Sequence, residues 1–293
     1  APFQWECKLK LGHKYQLREE NGRNWCIIVT LAILEVGKQM QMQMQKKPLI
    51  TVAVPSLNQG KYLNQTLRSI FDSSLPVEVF VLDGGSSDCS LDIIQHWDKQ
   101  IAGWRSHPDH GQSAAINEGI AQGSAPFVAW LNSDDYYAAG GLAKLLDTIR
   151  SFKLAPAVYG KTMNYIEPRG LHRPAWGQPF STYALARRCI ISQPATLIRR
   201  DAWEAVGGLN QTLKMAFDYD LWWRLYKYGG PLAFCNELIA FNRDHRNTKT
   251  NMFRHLHYSE AIEVVKFHYG KVPWKWRLYR PVSVELKTVL NYM

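Results

Sequence analysis

The chain has 293 residues, 46% of them hydrophobic and 20% charged, a balance that excludes intrinsic disorder and collagen-like repeats and leaves room for one large α/β domain or two small ones. Its formal net charge of +10 sits at the two ends: residues 1–47 carry +4, residues 243–293 carry +6, and the stretch between them is neutral. A neutral centre with basic flanks argues against a nucleic-acid partner. It fits either solvated ends or ends that lie near an anionic surface such as a bilayer. Five cysteines, Cys7, Cys26, Cys89, Cys189 and Cys235, form no CxxC pair. That spacing points away from a zinc site or a disulfide framework and towards a reducing, cytoplasmic compartment, with peripheral membrane contact through the flanks. The apolar run from Trp25 to Val36 contains Glu35 and is too short to span a bilayer.

Residues 1–47 end in QMQMQMQKK and read as an arm or linker. From Leu49 the pattern alternates. LITVAV predicts a first strand and YLNQTLRSIF an amphipathic helix. VEVFVL is a second strand, followed by DGGSSD and the helical LDIIQHW. QSAAINEGIAQ is a helix, PFVAWL a third strand ending in NSDD, GLAKLLDTI a helix and AVYG a fourth strand. Alternation of this kind predicts a mostly parallel sheet with helices on both faces and ligands at the carboxyl ends of the strands. Residues 160–242 are less regular and form a smaller, acceptor-side subregion: ATLIRR is strand-like, a short helix starts at Asp201, FDYDLWWRLYKYGG is a helix with a Gly-Gly stop, and LAFCNELIAF is a strand. A helix over 252–268 and a basic aromatic stretch, WKWRLYR, complete a C-terminal helical tail over 246–293, beyond a main domain of 48–245.

Four polar clusters sit where such a sheet holds its ligands. Adjacent Asp134 and Asp135 close an apolar strand, where two carboxylates repel unless a cation compensates them. Hard oxygen donors of this kind suit Mg²⁺ or Mn²⁺; Ser133 or Asp134 also reads as a helix cap. Asp83 ends the second strand before Gly84-Gly85, as a base-edge acceptor or a plain turn. Asp109, His110 and Gln112 open a helix whose first turn offers free N–H groups. Asp218 and Asp220 open another, as dipole-favoured carboxylates or as a general base. His245 is a lone candidate for a metal or a phosphate.

In order, PxxN (Pro55, Asn58), DGGSSD, DxGQSxAxNxG, LNSDD, ISQPATLIRRDAWEAVGGLN and FDYDLWWRL resemble the family 2 glycosyltransferases of GT-A fold over residues 49–245. The resemblance implies a metal-dependent, inverting transfer of a sugar from a nucleotide-diphosphate sugar, a UDP-sugar in the commonest case, to a hydroxyl of a glycan or lipid-linked acceptor. It implies that Asp83 contacts the nucleobase with Pro55 and Ser56, and that Asn58, Asp109, Gln112, Asn117 and Asn132 shape the donor pocket. Asp134 and Asp135 then match the DxD-type motif, Asp135 as main metal ligand and Asp134 nearer the ribose or sugar. His245 stands near the diphosphate, and Gln193 and Trp222 border the acceptor. Asp218 takes the acceptor proton, with Asp220 as the alternative. Ala114 stands where the family often has an acid, and no QxxRW block occurs, which argues against a processive synthase. A non-catalytic sugar-nucleotide-binding protein and a nucleotidyltransferase are the competing readings of the same fold.

Overall fold

The computed structural model describes residues 47–175, 177–280 and 284. Almost all of the expected N-terminal arm therefore lies outside the described residues, and those from Pro48 onward form one compact unit.

Strand β1 (Ile50–Ser56) is buried along its whole length. Such a continuous apolar run is what a strand covered on both faces requires. It pairs in parallel with β2 (Val77–Asp83) and with β4 (Phe127–Trp130), and β2 pairs in parallel with β3 (Gly103–Ser106). The register sets Ser56 beside Asp83 and Asp83 beside Ser106, so three strands end level. Beyond β4 the sheet is mixed. β8 (Thr196–Arg199) runs antiparallel to β4 and to β6 (Ala157–Ile166). β9 (Ala233–Asp244) runs parallel to β6 and antiparallel to the two-residue β5 (Tyr136–Tyr137), while β7 (Leu171–Pro174) forms a hairpin with β6. The parallel half is the one the alternation predicts; β3, β5 and β7 are too short or too exposed to register as strands in a sequence.

Side chains alternate across the sheet. Val52, Val54, Val79 and Val81 face one core with Leu63, Leu67 and Ile70 of helix α1 (Gly60–Phe71). Ala53, Phe80 and Leu82 face the other. There they meet Ile116 and Ile120 of α3 (Gln112–Gln122) and Trp222 of a helix described below. Helix α2 (Ser90–Trp97) follows β2 and α4 (Gly141–Ser151) follows β5. Asp88 ties the first two helices together: one carboxylate oxygen accepts the Gly60 N–H and the other the Ser90 N–H, at 2.9 and 3.0 Å. A Cβ at position 60 would sit 2.5 Å from Cys89 Sγ, so glycine is needed for that approach.

Two short helices, α5 (Thr182–Arg187) and α6 (Arg200–Ala205), lead to α7 (Phe217–Gly229). The helix expected over 252–268 is α9 (Arg254–Tyr269); the one-turn α8 (Lys249–Met252) precedes it across Phe253, whose φ of −118° and ψ of 40° are not helical. Ala261, Val264 and Val265 of α9 are buried in the same core as Trp222. WKWRLYR forms α10 (Trp274–Arg280), which exposes Trp274 and Leu278 among its cations. Among the described residues no helix is long and apolar enough to cross a membrane, and Cys89, Cys189 and Cys235 are free thiols.

Candidate active site

The level ends of β1 and β2 form one wall. Ser56 is buried, and its hydroxyl has no hydrogen-bond partner among the described residues. Asn58 takes a left-handed φ of 53°, which lets its Oδ1 accept the Ser87 N–H at 2.9 Å while its own N–H donates to Ser86 Oγ at 2.7 Å. Asp83, expected to meet a nucleobase, is fully buried. Its Oδ2 accepts the N–H groups of Gly85 and Ser86 and the Ser106 hydroxyl, and its Oδ1 accepts Ser86 Oγ at 2.5 Å. With four donors already on it, the carboxylate is the anchor of the DGGSSD loop, and Ser86 and Ser87 of this loop hold Asn58 of the turn after β1.

The LNSDD turn forms the floor. Asp135, expected as the main metal ligand, is 2% exposed. Its Oδ1 accepts the Arg243 N–H at 2.9 Å and its Oδ2 faces Asn132 Nδ2 at 3.3 Å. Burial, and after it the neighbouring Asp134 charge, hold Asp135 well above the usual carboxylate range. The accessible carboxylate is Asp134, whose Oδ2 lies 3.2 Å from His245 Nε2. Of the two aspartates, Asp134 is therefore the one more open to solvent and Asp135 the one held by the scaffold. Neither Ser133 nor Asp134 caps a helix, since α4 starts after Gly140. His245 packs at 5.0 Å on the Tyr62 ring and opens onto a cleft of about 550 Å³ lined also by Asn58, Lys61, Glu167 and Arg246. Asp134 and His245, a carboxylate beside an imidazole, are donors of types that a divalent cation accepts. Among the described residues no group of three or more His, Cys, Asp or Glu side chains gathers for a metal, and in sites of the Mg²⁺ kind substrate phosphates and water supply the remaining oxygens.

Arg243, which sequence reasoning did not single out, holds this floor in place. It is 7% exposed, its Nε donates to the Asp134 carbonyl at 3.0 Å and its Nη2 to Gln65 Oε1 at 2.6 Å. Its guanidinium lies 4.6, 5.3 and 5.6 Å from the rings of Tyr62, Tyr136 and Tyr165. The planar cation is stabilised by three aromatic faces in place of a carboxylate.

A polar chain continues from the floor. Asn132 Oδ1 accepts Gln112 Nε2 at 2.8 Å, and Gln193, in the turn before β8, faces Asn132 at 3.3 Å while donating to the Trp130 carbonyl at 2.7 Å. Gln112 Oε1 in turn accepts Lys249 Nζ at 3.1 Å. Asp109 stays at the rim, its Oδ1 on the Gly111 N–H and its Oδ2 3.3 Å from Arg105.

Two expected site residues serve the scaffold instead. Asn117, expected in the donor pocket, pairs with the backbone of Leu209 through both amide atoms, each at 2.9 Å. It thereby fixes the Gly207-Gly208 turn, where Gly208 has a φ of +65° and no room for a Cβ beside Asn117. Trp222, expected beside the acceptor, is fully buried and stacked on Trp130 at 5.9 Å; Tyr219 and Leu225, three residues before and after it on α7, are buried in the same core.

Asp218 and Asp220 leave the start of α7 on different faces. Asp220 is buried, 2.7 Å from Arg224 Nε and 2.8 Å from His268 Nε2. Burial alone would raise it, yet the His268 hydrogen bond and the Arg224 charge hold it below the usual carboxylate range. Asp218 is half-buried and takes one hydrogen bond, from the Tyr219 N–H at 2.7 Å. No Lys, Arg or His pairs with it among the described residues. Burial pushes its carboxyl up to about 6, against the Tyr219 N–H, which works the other way. From α9, Glu260 accepts the N–H groups of Lys214, Met215 and Ala216 at 3.0, 2.8 and 2.9 Å, pinning the turn that enters α7. A lone Glu in an amphipathic helix carries no sequence signal for that role.

A mixed sheet with carboxylates at its strand ends, an accessible Asp–His pair and a carboxylate of raised affinity for protons make up the candidate site. Residues 51–206 match glycosyl transferase family 2, and the chain belongs to that family. It is 24% identical over 203 residues to the chondroitin synthase of Escherichia coli, a match over 68% of this chain and 29% of that protein. The chain therefore spans under a third of that relative's length. It is 25% identical over 248 residues, 82% of this chain and 97% of the other, to TuaG of Bacillus subtilis (strain 168), a glycosyltransferase assigned to teichuronic acid biosynthesis. Among solved structures, S. aureus TarS 1–349 in complex with UDP-GlcNAc superposes with a TM-score of 0.62 at 16% identity, over 83% of this chain and 72% of that one. The mannosyltransferase PcManGT from Pyrobaculum calidifontis, in complex with GDP-Man and Mn²⁺, gives 0.57 at 17% identity, over 84% and 74%. At these identities the likeness is one of fold, and both neighbours share the curled, mostly parallel sheet.

Proposed function

We propose that this chain is a glycosyltransferase that moves a sugar from a nucleotide-diphosphate sugar, a UDP-sugar first among them, to a hydroxyl of a growing glycan, with inversion at the anomeric carbon. The observation that carries the reading is the contrast on α7: Asp220 is paired with Arg224 and hydrogen-bonded to His268, whereas Asp218 has no basic partner among the described residues and its carboxyl, pushed up to about 6, binds protons with an affinity suited to exchange near neutral pH. Polymer synthesis is the business that the chondroitin synthase relative is named for, and the UDP- and GDP-sugar complexes of the fold neighbours support a nucleotide-diphosphate donor.

In this reading the donor lies across the strand ends. The free Ser56 hydroxyl, Asn58 and Ser86 meet the nucleotide, and the Asn132–Gln112–Gln193 chain orients the sugar. Asp134 and His245 hold the divalent cation, which when bound supplies Lewis-acid neutralisation of charge on the leaving diphosphate. Arg243 keeps the Asp134 backbone fixed, so no reorganisation is needed as that charge grows. Asp218 accepts the proton of the acceptor hydroxyl as its oxygen bonds the anomeric carbon and the sugar–phosphate bond breaks. A single displacement of this kind inverts the centre.

Initial rates and calorimetric nucleotide binding of Asp218→Asn test the reading. Turnover should fall by roughly 10²–10⁴-fold with UDP affinity unchanged. Near-normal turnover would assign the base elsewhere.

A further inference from the structure

Most cations around the site are committed to anions or aromatic faces. Arg105 pairs with Glu118 and Asp109, Arg224 with Asp220, and Lys61 with Glu167 at the cleft rim; Arg243 is enclosed by tyrosines. Lys249 is different. Its Nζ donates to two neutral oxygens, Gln112 Oε1 at 3.1 Å and the Lys214 carbonyl at 2.7 Å, and it lies 5.6 Å from the Phe217 ring. No carboxylate reaches it within salt-bridge distance among the described residues.

Its place is as informative as its partners. Gln112 is one hydrogen bond from Asn132, which touches the Asp135 carboxylate, and Phe217 immediately precedes Asp218. Lys249 therefore stands between the floor and the helix that carries the base, where the reacting part of a donor has to lie. Only three residues separate it from His245 at the end of β9, so the segment after that strand delivers one side chain to Asp134 and another to Gln112.

We propose that Lys249 is the cation that receives an anionic group of the bound donor, either the distal phosphate of the nucleotide or a carboxylate on the sugar. The proposal rests on the glycosyl-transfer reading above. A half-buried ammonium facing only neutral oxygens keeps hydrogen-bonding capacity for one more acceptor, and an ionised one makes the stronger, shorter bond. Burial already holds Lys249 below the usual lysine range, with Glu260 and Asp109 acting the other way from further off. An arriving anion would reverse that shift.

The test is calorimetric titration of the full chain and of Lys249→Met and Lys249→Arg, with Mn²⁺ present, against UDP, UMP, GDP, GMP, UDP-glucose and UDP-glucuronate. Thermal unfolding of each variant verifies the fold. A loss of about tenfold or more for the diphosphate in Lys249→Met, with the monophosphate unchanged and Lys249→Arg close to wild type, supports the phosphate as the anion. Unchanged UDP and UMP with a selective loss of UDP-glucuronate over UDP-glucose supports the sugar carboxylate. Equal weakening of all six probes, or none, overturns the proposal, since a scaffold role would not discriminate among them. If the folded wild-type chain binds no nucleotide at all, the glycosyl-transfer reading itself falls, an outcome distinct from wild-type binding that Lys249→Met leaves intact.

Discussion

The two aspartates of α7 differ in face, exposure and partners, and the difference has a pH signature. Asp218, raised by burial from 3.8 to about 6, must be ionised to take a proton. The kcat/KM profile should therefore fall about tenfold per unit below about pH 6, measured as initial rates between about pH 4.5 and 8. The same carboxylate affects stability with a defined sign. Because its folded value lies above its ordinary one, its contribution is fully present below about pH 4 and is lost as pH rises through about 6. Asp218→Asn should thus gain melting temperature over wild type across that window and hold the gain above it. The aspartates of the floor separate in another way. Asp134→Ala should keep the wild-type melting temperature but lose Mn²⁺-dependent UDP binding, by about tenfold or more. Asp135→Ala strips a buried N–H and amide of their acceptor and should cost about 2–3 kcal/mol of stability. Titration with and without Mn²⁺, alongside thermal unfolding, checks both; metal-dependent binding that survives Asp134→Ala would return the metal to Asp135. Sequence spacing singled out this pair but not which member is buried, because which of two adjacent side chains turns inward depends on β9, a strand more than a hundred residues away that supplies Arg243.

At the scale of elements, α7 owes its position to α9. Glu260 pins the turn at its start and His268, two helical turns further along α9, binds Asp220 in its first turn. Glu260→Ala leaves three N–H groups without their charged acceptor, two of them on the buried residues Met215 and Ala216. The expected cost is about 3 kcal/mol, or a melting temperature roughly 5–10 °C lower. Turnover should fall further than nucleotide affinity does, because the base is displaced while the donor wall is not. Calorimetric unfolding and steady-state kinetics read the two effects separately. The helices themselves were legible: the apolar spacing of α1 and the Gly-Gly stop of α7 are local signals. The one-turn α8 before Phe253 was not, since four residues carry no helical period, and neither was the grip of α9 on α7, which is a tertiary contact between charged side chains and backbone.

For the molecule as a whole, the alternation of short apolar runs and amphipathic stretches was enough to predict the parallel half of the sheet and the polar ends at which the site gathers. In the mixed half the strands β6, β8 and β9 were readable but their directions were not, and β5 and β7 were missed because runs of two and four residues have no period to detect. Candidate site residues stood out in the sequence where they fall in strand-end blocks such as LNSDD. They were misassigned where a conspicuous polar or aromatic side chain, Asn117 or Trp222, turns out to fasten one element to another. The enclosure of Arg243 carries a further implication. A guanidinium wrapped by three rings lies where dissolved ions do not penetrate, whereas Lys61, with 68% of its side chain exposed beside Glu167, stands within reach of them. With a screening length of about 8 Å at physiological ionic strength, added salt acts on the mouth of the cleft and leaves its floor alone. The molecule thereby separates the capture of a charged donor, which the ionic surroundings tune, from its alignment, which they do not.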